Sequence, residues 1–180
     1  MDLIAFKYML SRIFSVIFIY KIIFYAALNI ATLNINGLIS KQNQVIDFMK
    51  FNKISILLLQ EHNIRDVNKL SSNLNEFCHV CLNPAICARG GTAILIDRKL
   101  SFNILNVEKS ANSRVLSMKV KIYDKVIHLV NVYAHSGDKK KAEREELFSE
   151  ELIYYLRNSL QNTYIGGDWN CVLSERHHIR

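Results

Sequence analysis

Four polar positions in this chain follow short apolar runs, and their side chains are the kinds that handle cations, water and anions. Asn34 and Asn36 close the segment LNINGL (33–38), and Glu61 closes the run ISILLLQE (54–61). Tyr133, with Asn131 two positions before it, closes VNVYA (130–134), and Asp168 and Asn170 sit in IGGDWN (165–170). Hard divalent cations such as Mg²⁺ take carboxylate and amide oxygens, few of them from the protein, with water and phosphate completing the shell. Glu61, Asn34 or Asn36, and Asp168 meet that demand. In IGGDWN a carboxylate and a carboxamide stand two positions apart, the spacing at which both point to one side of an extended segment. There Asp168 is suited to a water or a metal, and Asn170 to gripping an anion. Each position also has a plainer account, because Gly, Asp and Asn form turns and strands end in solvated polar residues. The joint pattern therefore has to be weighed against the elements that carry it.

Those elements read as one domain following an apolar prefix. The chain has 180 residues, half of them hydrophobic and 22% charged, which excludes a disordered chain and suffices for a real core. One Pro and six Gly exclude a Pro- or Gly-rich linker architecture. The net charge of +7 favours an anionic partner, nucleic acid or an acidic membrane surface, without Lys/Arg blocks of the histone kind. Residues 1–28 differ in composition from the rest. From 13 to 28 only Ser15 and Lys21 are clearly polar. The run is short for a bilayer span and carries a costly central Lys. Three readings stay open for it: a membrane anchor or signal, an extension packing on the domain, or sequence outside the functional domain. The last is preferred, which places the domain at 29–180.

Within the domain, 30–35 reads as a strand ending in the turn 34–37, and 40–51 as a helix with Val45, Ile46 and Met49 on one face and Ser40 as its N-cap. The continuous run 54–61 is a buried central strand. A second helix falls within 66–75, and 89–96 is a glycine turn leading into a strand. From 114 to 123 apolar and polar residues alternate, with Leu116, Met118, Val120 and Ile122 on one face and Ser117, Lys119 and Lys121 on the other. A tight turn at Asp124-Lys125 then returns the chain along 126–133 as a β-hairpin. Residues 138–160 read as one long amphipathic helix, with Phe148, Leu152, Leu156 and Leu160 spaced four apart. Residues 163–165 form the last strand. Cys78 and Cys81 have the spacing of half a zinc knuckle, but they lie in strand-like EFCHVCL, where residues three apart face opposite ways, and no second half-site follows. They read as buried, reduced thiols of an intracellular protein.

The segments LNINGL, LLLQEH (57–62), GGTAILI (90–96), VNVYA and GGDWN (166–170), in this order, resemble the endonuclease/exonuclease/phosphatase superfamily. More closely, they are similar to the apurinic-type endonuclease domain of LINE-type (non-long-terminal-repeat) retrotransposons. The likeness covers about 29–176. It implies an α+β, DNase I-like four-layer sandwich of two packed mixed β-sheets flanked by helices, incomplete at the C-terminus. It implies a Mg²⁺- (or Mn²⁺-) dependent phosphodiesterase that nicks DNA, a monomer with access to the nucleus, and membrane association only if 1–28 is a true anchor.

Position by position, the resemblance makes Glu61 the metal-binding Glu of the QE motif, with Asn34 and Asn36 beside the metal. Tyr133 contacts the scissile phosphate, as does Asn34. Asp168 aligns or deprotonates the attacking water, Asn170 bonds the phosphate, and the glycine pair turns the backbone sharply beneath the substrate. His135 stands where many relatives have Pro. The family's terminal Asp-His pair follows GGDWN, and neither His177 nor His178 matches it, so the resemblance points to a fragment lacking the final strands. Two alternatives remain in view: an inactive relic that still binds DNA, and a phosphoesterase of the same superfamily acting on a phospholipid or inositol phosphate.

Overall fold

A computed structural model describes the backbone of residues 17–23, 27–157 and 162–171. It begins with strands β1 (Ile17–Ile23) and β2 (Ala27–Asn34), then a 3-10 turn (Ile39–Lys41) and helix α1 (Gln42–Phe51). Strand β3 (Ile56–Gln60), a 3-10 turn (Val67–Lys69), helix α2 (Ser72–Phe77), β4 (Cys78–Asn83) and β5 (Thr92–Asp97) complete a first sheet and its cover. Strands β6 (Phe102–Lys109), β7 (Val115–Ile122) and β8 (Lys125–Tyr133) follow. Next come α3 (Lys141–Glu146), a π-helical turn (Leu147–Glu151), α4 (Leu152–Leu156) and β9 (Thr163–Asp168). The sheets have orders β1-β2-β3-β5-β4 and β6-β7-β8-β9. Both are mixed: β2 runs parallel to β3 and β8 parallel to β9, while the other pairs are antiparallel.

Strand periodicity explains the layers. Leu57 and Leu59 of β3 lie under α1 and α2 with Leu33, Val45, Phe48, Met49 and Leu74. Ile56 and Leu58, on the opposite face of the same strand, meet Ile30, Met118, Val120 and Leu129 between the sheets. A strand buried on both faces has no polar face to show, hence the continuous apolar run. A third cluster of Val115, Val130, Val132, Leu147 and Leu152 packs the second sheet against α3 and α4. The order is therefore helices, sheet, sheet, helices: the α+β DNase I-like sandwich.

The hairpin 115–133 has the expected faces, with Leu116, Met118, Val120 and Ile122 all in the inter-sheet layer. Cys78 enters the cluster under the helices, whereas Cys81 packs against the inter-sheet one, so the two thiols do share no face. Burial pushes the Cys78 thiol up to about 12, far from a reactive thiolate.

Two local expectations are corrected. Ser40 caps nothing: it lies inside the 3-10 turn, and α1 starts from Lys41 without a side-chain cap. Lys41 instead turns its ammonium to the carbonyls of Ile35 and Asn36. The helix over 138–160 is not continuous. Its π-helical turn brings residues five apart onto one face, so Leu147 and Leu152 are the buried pair and Phe148 is only partly covered. Leu160 lies outside the described residues. Strand β6 had no counterpart in the pattern because its residues are mostly exposed on an edge. Ile17–Ile23, inside the apolar prefix, pairs antiparallel with β2, from Ile17 opposite Leu33 to Ile23 opposite Ala27. Residues 1–16 lie outside the described residues. Among the described residues no helix is long and apolar enough to cross a membrane.

Candidate active site

The two parallel strand pairs point their C-terminal ends the same way, and the layer between the sheets changes character there. Thr32, Gln60 and Asn131 are buried, yet their polar atoms are partnered. The Gln60 Nε2 group donates to Thr32 Oγ1 (2.9 Å) and to Asn131 Oδ1 (2.6 Å), and Asn131 Nδ2 donates to the carbonyls of Leu59 (2.7 Å) and Ala93 (2.8 Å). Asn131 belongs to β8 and Gln60 to β3, so this network joins one sheet to the other. It lies directly before Glu61 and two positions before Tyr133.

Beyond the network the candidate residues meet. Asn34 Nδ2 donates to Glu61 Oε1 at 2.9 Å and to Asp168 Oδ2 at 2.8 Å, so two carboxylates from different sheets face each other across one amide nitrogen. Asn34 Oδ1 accepts the Asn36 N–H (3.2 Å), which fixes the orientation of that amide. Glu61 leaves the strand with φ of 54°, an uncommon conformation for a residue with a Cβ, of the kind that surrounding contacts must hold in place. Its carbonyl accepts the Gly37 N–H at 2.7 Å. Tyr133, only 8% exposed, directs its hydroxyl to the Glu61 carboxylate. Burial first, then that bond and charge, push its phenol up to about 12, so it stays a neutral donor.

The remaining expected residues divide. Asn170 bonds its backbone N–H to Asp168 Oδ1 (3.1 Å) and its Nδ2 to the Ala134 carbonyl (2.9 Å), with φ of 46°. It sits beside the carboxylate, its amide nitrogen engaged with the end of β8. Asn36 is adjacent through its backbone, and its side chain is exposed. The ring of His135 is half-buried, and burial together with the Arg114 charge holds its pKa low. His177 and His178 lie outside the described residues.

The glycine pair calls for a correction. Gly166 and Gly167 are not a turn; they are inside β9, paired with Asn131 and Val132. A Cβ on Gly166 would fall 2.7 Å from Leu58 Cδ1 of the opposing sheet, and one on Gly167 would fall 2.0 Å from the Val132 carbonyl oxygen. Glycine is needed for close approach, which brings β9 near enough to β2 for Asp168 to reach Asn34.

Two groups that carry the site were not singled out by the sequence. Arg114 stacks its guanidinium on Tyr133, 4.9 Å from the ring centroid, and donates through Nη1 to the Tyr133 carbonyl (3.0 Å). A signal existed: a cation at the start of the strand antiparallel to β8. His62, next to Glu61, is fully buried. Its Nδ1 accepts the Ile64 N–H (3.0 Å), so Nε2 carries the proton and faces the Asn83 carbonyl at 3.0 Å. Burial lowers its pKa and keeps it neutral. Gly91 leaves room for this ring, since a Cβ there would come within 2.4 Å of Nε2.

Among the described residues no cluster of three or more His, Cys, Asp or Glu side chains is set to hold a metal. The donor set is instead two oxygen carboxylates and an amide, with no described Lys or Arg ion-paired to either carboxylate. Two facing carboxylates that form no ion pair among the described residues fit a hydrated hard ion that completes its shell with water and phosphate oxygens.

No family model matches the chain. The transposon TX1 uncharacterized 149 kDa protein of Xenopus laevis is 29% identical over 154 residues, which cover 83% of this chain and 12% of that protein. Among solved structures, TDP2 from C. elegans aligns with a TM-score of 0.63 at 20% identity over 79% of this chain and 48% of its own. An AP endonuclease from Archaeoglobus fulgidus aligns at 0.61 and 24% identity, over 79% of this chain and 57% of that one. The 3′ phosphatase NExo from Neisseria, bound to a product DNA hairpin, aligns at 0.59 and 21% identity, over 81% and 59%. The chain thus spans a small part of the transposon protein and about half of each of these structures. Its fold is that of these solved structures, and its likeness to a transposon protein agrees with the resemblance carried by its motifs.

Proposed function

We propose that this chain is a metal-dependent phosphodiesterase domain that nicks DNA, of the kind a LINE-type element uses at its target site. The observation that carries the proposal is the convergence of Glu61, Asp168 and Asn34 at the ends of strands from both sheets, with the Tyr133 phenol on Glu61. Solved neighbours bound to DNA products, D. rerio TDP2 and the Neisseria NExo, and the transposon relative support DNA as the substrate. So does the net charge of +7.

Glu61 and Asn34 would hold the ion, with Asn36 beside them. A bound Mg²⁺ or Mn²⁺ would supply Lewis-acid stabilisation of charge on the phosphate. Asp168 accepts a hydrogen bond from the attacking water and takes its proton as the new P–O bond forms, while the P–O bond to the 3′ oxygen breaks in line and that oxygen leaves as a hydroxyl, taking a proton from solvent. The neutral Tyr133 phenol and the Asn170 amide donate to phosphate oxygens, Asn170 exchanging its bond to Ala134 for one to substrate. Glu61 accepts the phenol's single hydrogen bond before substrate binds, and the phenol exchanges it for one to the phosphate.

Supercoiled plasmid provides the test. Mg²⁺-dependent conversion to the nicked form, abolished by chelation, is expected. Asp168→Ala should lower the rate by about 10²–10⁴-fold, the range of a lost general base, with Tm little changed. Tight binding of the plasmid without any Mg²⁺-dependent nicking would favour the relic instead.

A further inference from the structure

We infer that Arg114 is a positioning residue for Tyr133, fixing the plane of its ring so that the phenol stays on Glu61 and faces the scissile phosphate. The inference rests on the nuclease reading above and assigns it a residue that neither the motifs nor the shared pattern singles out. Three contacts carry it. The guanidinium lies over the ring face at 4.9 Å, Nη1 donates to the Tyr133 carbonyl at 3.0 Å, and the Tyr133 N–H donates to the Arg114 carbonyl at 2.8 Å. Ring and backbone of one tyrosine are thus held by one arginine. A lysine would keep the charge but lose the planar stack and the fork.

The support under Arg114 is also unusual for a surface turn. Its N–H donates to Ser110 Oγ (2.9 Å) and to Asn112 Oδ1 (3.0 Å), while the Val115 N–H donates to Ser110 Oγ at 2.8 Å. The buried Asn83 amide donates to the carbonyls of Ser110 (3.2 Å) and Val115 (3.0 Å), and Ser113 Oγ donates to the Pro84 carbonyl. An arginine serving solubility needs no such bracing. Arg114 is half-buried, and burial lowers its pKa against its contact with Tyr133 and the favourable charges of Glu151 and Glu61. Gly90 lies beside the ring: a Cβ added there would stand 3.9 Å from Tyr133 Cε1.

The experiment combines plasmid nicking in Mg²⁺ by the full chain with NMR of protein carrying ¹³C-labelled tyrosine, the Tyr133 signals being assigned by their loss in Tyr133→Phe. Arg114→Met should lower kcat by about 10²-fold, as displacing a reacting group by an ångström does, with KM for DNA little changed. In a Tyr133→Phe background the same substitution should cost almost nothing further. Arg114→Lys, the milder variant, should shift the Tyr133 ring signals and recover only part of the rate. Losses that multiply in the double variant, or a change confined to KM, would show Arg114 acting on DNA by itself and overturn the inference. Unmoved Tyr133 signals in a folded Arg114→Lys protein would overturn it as well. A wild-type chain that fails to nick, with the signals moving as expected, would sink the nuclease reading and leave the positioning of Tyr133 supported.

Discussion

Between the sheets, the end away from the site is hydrocarbon: Ile30, Ile56, Ile96, Val120, Ile122 and Ile127 meet there with no polar atom among their side chains. The end at the site is equally buried but polar, built from Thr32, Gln60, Asn131 and Thr92. Hydrocarbon packing is non-directional, and adequate where the sheets need only adhere. Placing Glu61 and Asp168 from opposite sheets against one amide requires a defined offset between the sheets. Directional bonds through Gln60 and Asn131 supply that offset.

The comparison can be broken at either end. The largest stability effect is expected from Ile56→Ala in the hydrocarbon half, about 2–5 kcal/mol by denaturant unfolding, because transfer energy and cavity add. Nicking per folded molecule should be unchanged. Asn131→Leu should cost less, about 1–3 kcal/mol, since it removes one acceptor of the buried Gln60 amide and the amide donor of two carbonyls. Yet it should also depress kcat, because Glu61 and Tyr133 adjoin the severed bonds. If Ile56→Ala proved the more harmful to kcat and Asn131→Leu left it intact, the division of labour would be wrong.

A pH series sharpens the same contrast. His62 is buried neutral with its pKa below the ordinary 6.5, so between its folded pKa and 6.5 the unfolded chain binds a proton that the native chain does not. Stability contributed by His62 is therefore complete above about 6.5 and falls as the pH drops below it, by at most about 1.4 kcal/mol per pH unit. Tm measured from pH 7.5 to 5 should decline, and less steeply in His62→Gln. The smallest effect is expected at Thr92, whose hydroxyl is buried without a hydrogen-bond partner among the described residues. Thr92→Val should be neutral or stabilising by about 1 kcal/mol, read as a small rise in Tm, in contrast with the partnered Asn131.

Much of this was legible in the chain. The hairpin 115–133 could be read because its alternation is strict and one face is buried throughout. The central strand was legible because burial on both faces leaves an unbroken apolar run. The π-helical turn was not, since apolar residues at 147, 148, 152 and 156 satisfy both a straight helix and one with an inserted residue. Strand β6 was missed because an exposed edge imposes little pattern. The glycine pair was misread because a turn and a close sheet contact select the same residue.

The site shows the same division. Residue type and position at strand ends picked out Asn34, Glu61, Tyr133, Asp168 and Asn170, since oxygen donors that follow apolar strands are fixed locally. Their joint action depends on distances across 27 and 134 residues of chain, such as the Asn34 bonds to Glu61 and Asp168, which no local pattern encodes. The amides of Gln60 and Asn131 have roles only once two sheets face each other, and Arg114 only once its strand pairs with β8. The sequence by itself determined the elements, their buried faces and the chemical types at their ends. Tertiary structure alone decided which ends meet, because sheet packing sets the offset that turns separate side chains into one site.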